Sequence, residues 1–329
     1  MTQHIRGVLC SIGASVTWGL SGACVQCLTA RYEIGSLELT SIRMLFAGIT
    51  FLAIVAWRNH SLRIETVHDR KTVLRLAIFG IVGVFISQFA YIQAIATTNA
   101  GTATVLCCLN SVILLAAVCL TKRKAPKPIE VAAIIMALGS VWLIATGGNP
   151  ENLAISPIGL AWGISAAGSI AFYTIYSKPI MASHGNIPAL AIGMLFGGLT
   201  STACSLPHWS MPQLDPFGIV LIAVVVVFGT VVTFALYFQA VLALEAVEVG
   251  SLSVVEPMVA TAMSAIWLGS SFSPIDYFAF ALMLAMVVLV SHAGSEPNRT
   301  GAHRISWHRM VQEPLLKISR PAIRAALRR

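Results

Sequence analysis

The chain has 329 residues, of which 57% are hydrophobic and only 10% are charged. Soluble domains carry about 25% charged residues, so this composition excludes a water-soluble fold. The formal net charge of +8 could indicate a nucleic-acid-binding protein. However, the basic residues are concentrated between apolar stretches and in the C-terminal tail, so we expect no nucleic acid among its partners.

Apolar stretches of about 20 residues recur along the chain, and this is the length of helix that crosses a hydrocarbon core of about 30 Å. They predict an all-α integral membrane protein with ten transmembrane helices. The first stretch is longer than the apolar core of a secretory signal, so we expect it to be retained. The predicted spans are 7–28, 36–57, 74–96, 102–121, 128–146, 156–177, 187–206, 216–239, 249–269 and 274–292.

The distribution of Lys and Arg predicts the orientation, because cytoplasmic loops retain these residues. With the N-terminus inside, the inside segments hold 19 of the 21 basic residues. Outside the tail, the inside loops hold 11 basic residues and the outside loops hold only Arg31. We therefore predict an N-in, C-in, multi-pass protein of the cytoplasmic membrane.

The second half of the apolar region resembles the first. Over residues 83–143, a constant shift of 146 residues superimposes the two halves without a gap. Apolar bias alone does not explain matched Pro, Gln, Tyr and acidic positions. Matched pairs include Gly83 and Gly229, Tyr91 and Tyr237, Gln93 and Gln239, Pro128 and Pro274, and Glu130 and Asp276.

Each half contains five spans, an odd number, so the second half must enter the membrane from the opposite side. The predicted organisation is a first five-helix repeat over 1–148, an inverted repeat over 149–293 and a basic cytoplasmic tail over 294–329. Inverted repeats are typical of secondary transporters, although channels and membrane enzymes also have repeats. The tail is expected either to rest on anionic lipid or to be disordered.

Glu256 and Arg43 are the two fully charged residues well inside predicted spans, where a charge costs from about 3 to over 10 kcal/mol. Pro257 interrupts the helix directly after Glu256 and frees backbone carbonyls. The repeat shift places Asn110 opposite Glu256. Two interpretations fit: Glu256 carries protons as the coupling ion, or Glu256 and Asn110 only satisfy the loosened backbone.

Arg43 has no basic counterpart, because Gly193 occupies its repeat position. Its planar guanidinium could bind a substrate carboxylate or phosphate. Alternatively it is a structural clasp near the outer surface, for which Glu38 offers a local partner. We favour the clasp.

Aromatic and amide residues on spans one, three, six and eight form a third group of candidates. Such groups suit a cavity that holds an amphipathic solute, although each also occurs in packing or in the interfacial belt. The candidates are Trp18, Tyr91, Gln93, Phe172, Tyr173, Tyr176, Tyr237 and Gln239.

No catalytic or metal-binding constellation is found. The eight histidines lie in loops, in the tail or near span ends, without acids at ligand spacing, and no phosphate-binding Gly-Lys-Ser/Thr loop occurs. The seven cysteines lie inside predicted spans and are expected to act as small hydrophobes. We expect no enzyme activity, no cofactor, no metal and no ATP-driven step.

Several short motifs follow one another in a characteristic order: Trp18-Gly19 in span one, Leu37 through Arg43 leading into span two, and Val255-Glu256-Pro257 in span nine, with a basic loop after span four. In this order the chain resembles EamA-type transporters of the drug/metabolite transporter superfamily over residues 7–292. The resemblance implies two pseudo-symmetric five-helix halves, a central cavity, and the movement of metabolites such as amino acids or nucleobase-like compounds, often as export.

Two positions depart from the family pattern. Asn110-Ser111 stands where a proline is common in span four, and Leu268-Gly269-Ser270 stands where a Leu-Gly-Glu-like motif is common after span nine.

The sequence therefore predicts a secondary transporter, with export as the expected direction, that moves a small metabolite such as an amino acid or related compound by alternating access. The alternatives are a flippase for a lipid-linked substrate, an intramembrane transferase, and a sensor or scaffold that uses the tail. The expected partners are the small-molecule substrate, membrane lipid and protons. A monomer and a homodimer both fit the sequence.

Overall fold

A computed structural model describes residues 3–57, 69–122, 127–149, 154–244, 249, 252–253 and 255–295. The predicted basic tail lies outside the described residues, apart from its first two. Within the described ranges, all regular secondary structure is helical. The helices are α1 Gln3–Arg31, α2 Ser36–Trp57, α3 Arg70–Thr97, α4a Ala100–Cys107, α4b Asn110–Lys122, α5 Pro128–Thr146, α6 Pro157–His184, α7 Asn186–Ser205, α8 Pro216–Ala243, α9 Val255–Ile266 and α10 Pro274–Ser295.

Eight helices of the described residues are long and apolar enough to cross a membrane, counting Ala100–Ala117 as one. Two shorter apolar helices, Val255–Ile266 and Pro274–Leu289, follow them. These findings establish an all-helical, multi-pass membrane protein. The count of ten spans and the orientation of the chain ends stay predictions.

Helix boundaries differ from the predicted spans at several places. α6 continues through Pro179 to His184 instead of ending at 177, because hydropathy marks the apolar segment and the hydrogen-bonded helix extends past it. The ninth span was predicted to start at 249; Val249 and Leu252 are helical, but Ser253 lies in a turn and the continuous helix α9 begins at Val255. The fourth span is broken after Cys107.

Side-chain caps explain why several helices begin where they do. The side chains of Asp69, Asn99, Ser156 and Asp215 accept hydrogen bonds from the first-turn amides of α3, α4a, α6 and α8. Each cap satisfies an amide that has no partner inside its helix. Hydrogen bonds from the Thr72 hydroxyl and from backbone amides also hold the pKa of Asp69 below its usual range. Polar residues therefore fix the helix starts between the apolar stretches.

Helices of the first half pack on helices of the second half: α2 on α7, α5 on α10 and α1 on α8. A polar contact joins each pair. The hydroxyls of Ser41 and Ser201 are 2.7 Å apart, the Ser140 hydroxyl donates to the Ala279 carbonyl at 2.7 Å, and the hydroxyls of Thr17 and Thr233 are 2.6 Å apart. Interhelical hydrogen bonds of this kind stabilise association where lipid supplies no hydrophobic driving force.

Small residues lie where the helix backbones approach most closely. A Cβ added at Gly80 of α3 would overlap the carbonyl oxygen of Gly193 on α7 and lie 2.8 Å from its carbonyl carbon. A Cβ at Gly163 of α6 would lie 2.6 Å from Leu106. These glycines therefore allow close packing between helices.

A wide π-helical turn occurs in both halves, at Phe79–Phe85 in α3 and Val227–Val232 in α8. The turns contain the repeat-related Gly83 and Gly229. Each of these glycines approaches a helix of the opposite half, since an added Cβ would lie 2.8 Å from the Cβ of Tyr173 or 2.5 Å from that of Ser21. π turns are rare and occur often at functional sites.

Candidate functional site

Two helices are interrupted at equivalent positions of the repeat. α4a ends at Cys107 and α4b begins at Asn110, while α9 begins at Val255, one residue before Glu256. The Asn110 side-chain amide donates to the Cys107 carbonyl at 2.8 Å, so it satisfies one of the backbone groups that the break sets free. Asn110 and Glu256 therefore both lie in the first turn after a break, as the repeat shift predicts.

Glu256 lies on the cavity side of the break in the second half. Its backbone amide donates to the Ser253 carbonyl at 3.1 Å, but its carboxylate has no hydrogen-bond or ion-pair partner among the described residues. Gly19 brings α1 against this break, because an added Cβ would lie 2.7 Å from the Glu256 carbonyl oxygen. The neighbouring Trp18 is thereby placed on the cavity wall.

A cavity lies between the two halves of the chain at these breaks. Its volume is about 60 Å³. Six of the predicted site residues line it: Trp18, Tyr91, Asn110, Tyr173, Tyr237 and Glu256. Which of them contact a solute stays a prediction, but the structure brings all six together.

Aromatic rings form one continuous side of the cavity. The ring of Tyr237 lies 5.1 Å from that of Trp18 and 6.1 Å from that of Tyr173, measured between centroids. The hydroxyl of Tyr237 is fixed by a 2.9 Å hydrogen bond with Thr174. Tyr91 of α3 also lines the cavity, and its hydroxyl has no partner among the described residues.

The sequence did not single out several other polar lining residues, among them Ser87, Gln88, Thr104 and Ser253. Gln88 is buried, and its side-chain carbonyl has no partner in the described part of the chain. It precedes Tyr91 by three residues, so the two share one helix face. This spacing from Tyr91 is the sequence feature from which Gln88 could have been predicted to line the cavity.

Arg43 does not line the cavity. It is buried, its Nε donates to the Thr230 hydroxyl at 3.1 Å, and its Nη2 donates to the Gly229 carbonyl at 3.2 Å. Both partners belong to the π turn of α8, whereas the predicted partner was Glu38. Arg43 thus clasps α2 of the first half to α8 of the second, and its partners could not be inferred from its local sequence.

Two predicted amides and two aromatic residues lie away from the cavity. Gln93 accepts a hydrogen bond from Ser36 at 3.1 Å and so ties the end of α3 to the start of α2. Tyr91 and Gln93 are two residues apart on a helix and therefore face different sides. Gln239, Phe172 and Tyr176 are likewise absent from the cavity lining, and the last two stack on each other.

A polar cluster around Gln26 closes one end of the bundle. The Gln26 side-chain amide donates to the Ser270 hydroxyl at 2.9 Å. Its side-chain carbonyl accepts from the Ala100 amide at 2.9 Å and from the Ser264 hydroxyl at 2.7 Å. These bonds join α1, the start of α4a, the end of α9 and the loop that follows α9.

A recess at the same end is lined by α1, the start of α8 and the residues that follow α9, among them Gln26, Arg31, Phe217 and Trp267. Arg31 lies 3.9 Å from Asp215, and the Tyr32 hydroxyl donates to Asp215 at 2.6 Å. This hydrogen bond holds the pKa of Asp215 below its usual range and raises the pKa of Tyr32. Arg31 and Asp215 are exposed, so this ion pair lies at the surface and not in the cavity.

Comparison with known proteins agrees with this architecture. The model of the EamA-like transporter family matches residues 5–146 and 157–292, one match for each half. An inner membrane transporter of Salmonella typhimurium named YicL is 33% identical over 286 residues, which cover 87% of this chain and 95% of that protein. The transporter YwfM of Bacillus subtilis is 23% identical over 89% of this chain and 96% of its own length.

A solved crystal structure that is 15% identical in sequence shares the fold. The alignment covers 88% of this chain and 96% of the solved chain, with a TM-score of 0.62. The chain belongs to the EamA-like transporter family.

Proposed function

We propose that the protein is a secondary transporter that exports a small metabolite, such as an amino acid or related compound, across the cytoplasmic membrane. The observation that carries this proposal is the meeting of two broken helices, α4 and α9, at one cavity between the two repeats. Broken helices at the interface of inverted repeats are where transporters bind their substrates, because unpaired backbone groups there face a polar cavity.

Alternating access explains why the two ends of the cavity differ. Gln26 and its partners close the end that the charge distribution predicts to be outside. At the other end the lining reaches Leu114 and Val249, towards the predicted cytoplasmic side. A cavity of this size is below the several hundred cubic ångströms of typical ligand sites, so the halves must move apart to admit a metabolite. Ten spans with both termini inside complete the proposed topology.

Proton coupling through Glu256 is part of the proposal. The titratable groups around its carboxyl are Tyr91, Tyr173, Tyr237, Cys107 and Cys108, all of which interact with it electrostatically. Among the described residues no Lys, Arg or His lines the same cavity. Glu256 is therefore the carboxyl group of the described lining, and among the side chains there it is the one best suited to exchange a proton.

Solute exchange in liposomes that contain the purified protein tests transport directly. We expect saturable counterflow of at least one class within a broad metabolite panel. Ser87→Phe, which fills the cavity, should reduce that flux by at least about tenfold, whereas Ser165→Phe on the exposed face of α6 should leave it unchanged. Absence of flux for every class, or translocation of lipid without any solute flux, would overturn the proposal.

A further inference from the structure

Charge is unevenly distributed around the cavity. Glu256 is the acidic side chain in the described lining, and no basic side chain accompanies it. Arg43 is buried and is not part of the lining; its Nε and Nη2 donate to Thr230 and Gly229, and its Nη1 has no partner in the described part of the chain. A solute that enters the cavity therefore meets a negative group without a positive one.

The aromatic side of the cavity favours the same sign of charge. The centroid of the Tyr237 ring lies 5.1 Å from that of Trp18 and 6.1 Å from that of Tyr173. Tyr91 lines the cavity from α3. The faces of such rings attract cations that lie within about 6 Å of the ring centre. Tyr91, Tyr173 and Tyr237 all lie within electrostatic range of Glu256. A cation paired with Glu256 would thus share the cavity with these aromatic rings.

We propose that this cavity recognises its solute through a cationic nitrogen, so that the substrate class is a compact substituted ammonium ion. The inference rests on the proposed transport function and names the chemistry of its substrate. Glu256 neutralises the charge and the rings contact the alkyl substituents.

A carboxylate on the solute has no favourable place in this cavity. It would lie near Glu256, and like charges in a poorly hydrated site repel strongly. Amines should therefore bind better than carboxylic acids of the same shape, and a decarboxylated amine should bind better than the amino acid from which it derives.

Isothermal titration of the detergent-purified protein at alkaline pH tests this assignment with three probes of matched shape. The probes are the cation choline, its neutral isostere 3,3-dimethylbutan-1-ol, in which a carbon replaces the nitrogen, and the anion of tert-butylacetic acid, called tert-butylacetate below. We expect choline to bind at least about tenfold more tightly than the neutral isostere, and tert-butylacetate to bind most weakly. Glu256→Gln should reduce the preference for choline to within about threefold without affecting the isostere.

The exposed Glu33, between α1 and α2, provides the matched control, because Glu33→Gln makes the same charge change away from the cavity. That variant should keep the full preference for choline. Equal binding of choline and its isostere, tighter binding of tert-butylacetate, no choline binding by the unmodified protein, or an unchanged preference in Glu256→Gln would each overturn the assignment. Solute exchange in liposomes that shows no preference for cations would leave transport standing and remove only the cation assignment.

Discussion

Glu256→Gln is expected to abolish uptake driven by a pH gradient while exchange of a solute at saturating concentration continues, with a weaker apparent affinity for cationic solutes. The amide has nearly the shape of the carboxyl group but cannot bind and release a proton, so the coupled flux should fall at least about a hundredfold. Exchange moves solute in both directions and needs no net proton movement. The measurement is uptake into liposomes with an imposed pH gradient, compared with counterflow at equal pH in the same preparation.

The expected loss of pH-driven uptake depends on the position of Glu256 and does not follow from removing just any acidic side chain. Glu33→Gln should retain the pH-driven flux of the unmodified protein, because Glu33 is exposed between α1 and α2. If Glu256→Gln keeps its full pH dependence, Glu256 is structural and the proton-coupling proposal fails.

Gly80→Ala is expected to destabilise the protein by about 1–3 kcal/mol, the usual cost of overpacking. An added Cβ would overlap the Gly193 carbonyl oxygen and lie 3.0 Å from the Gly193 Cα. These are backbone atoms of α7, so no side-chain rotation relieves the contact and the two helices must separate. The measurement is the unfolding temperature of the purified protein in detergent, which should fall by several degrees.

Gly168→Ala is the matched control for this substitution. Nothing lies within 4 Å of a Cβ added at Gly168, which is in the interior of α6. Alanine there should raise helix stability by about 0.5–1 kcal/mol, so the unfolding temperature should be unchanged or slightly higher. Equal effects of the two substitutions would show that α3 and α7 are not in the backbone contact described.

Apolar stretch length and the repeat shift were sufficient to predict the membrane class and the positions of most helices. They also predicted that Asn110 and Glu256 occupy equivalent places, because matched residues in homologous halves meet equivalent surroundings. The break in α4 was not predicted, since Asn110-Ser111 lacks the proline that would mark it. The paired π turns were not predicted either, because their i to i+5 hydrogen bonds have no distinct sequence pattern apart from Gly83 and Gly229.

The partners of individual side chains were harder to predict than the site as a whole. Arg43 reaches α8, nearly 190 residues along the chain, rather than the adjacent Glu38. Gln26 bonds to Ala100, Ser264 and Ser270, which come together only when both halves pack. Such contacts depend on tertiary packing, which residue type and helical spacing do not specify.

The reactivity of Cys107 tests most directly whether the cavity opens alternately to the two sides. Cys107 is buried and lines the cavity, so a variant that retains it as the sole cysteine can be labelled with a membrane-impermeant thiol reagent in sealed vesicles of each orientation. Labelling should be faster from the side of Leu114 and Val249. Gln26→Ala, which removes the bonds closing the opposite end, should increase labelling from that opposite side. Labelling from neither side, or rates that are equal on both sides and insensitive to Gln26→Ala, would contradict the account.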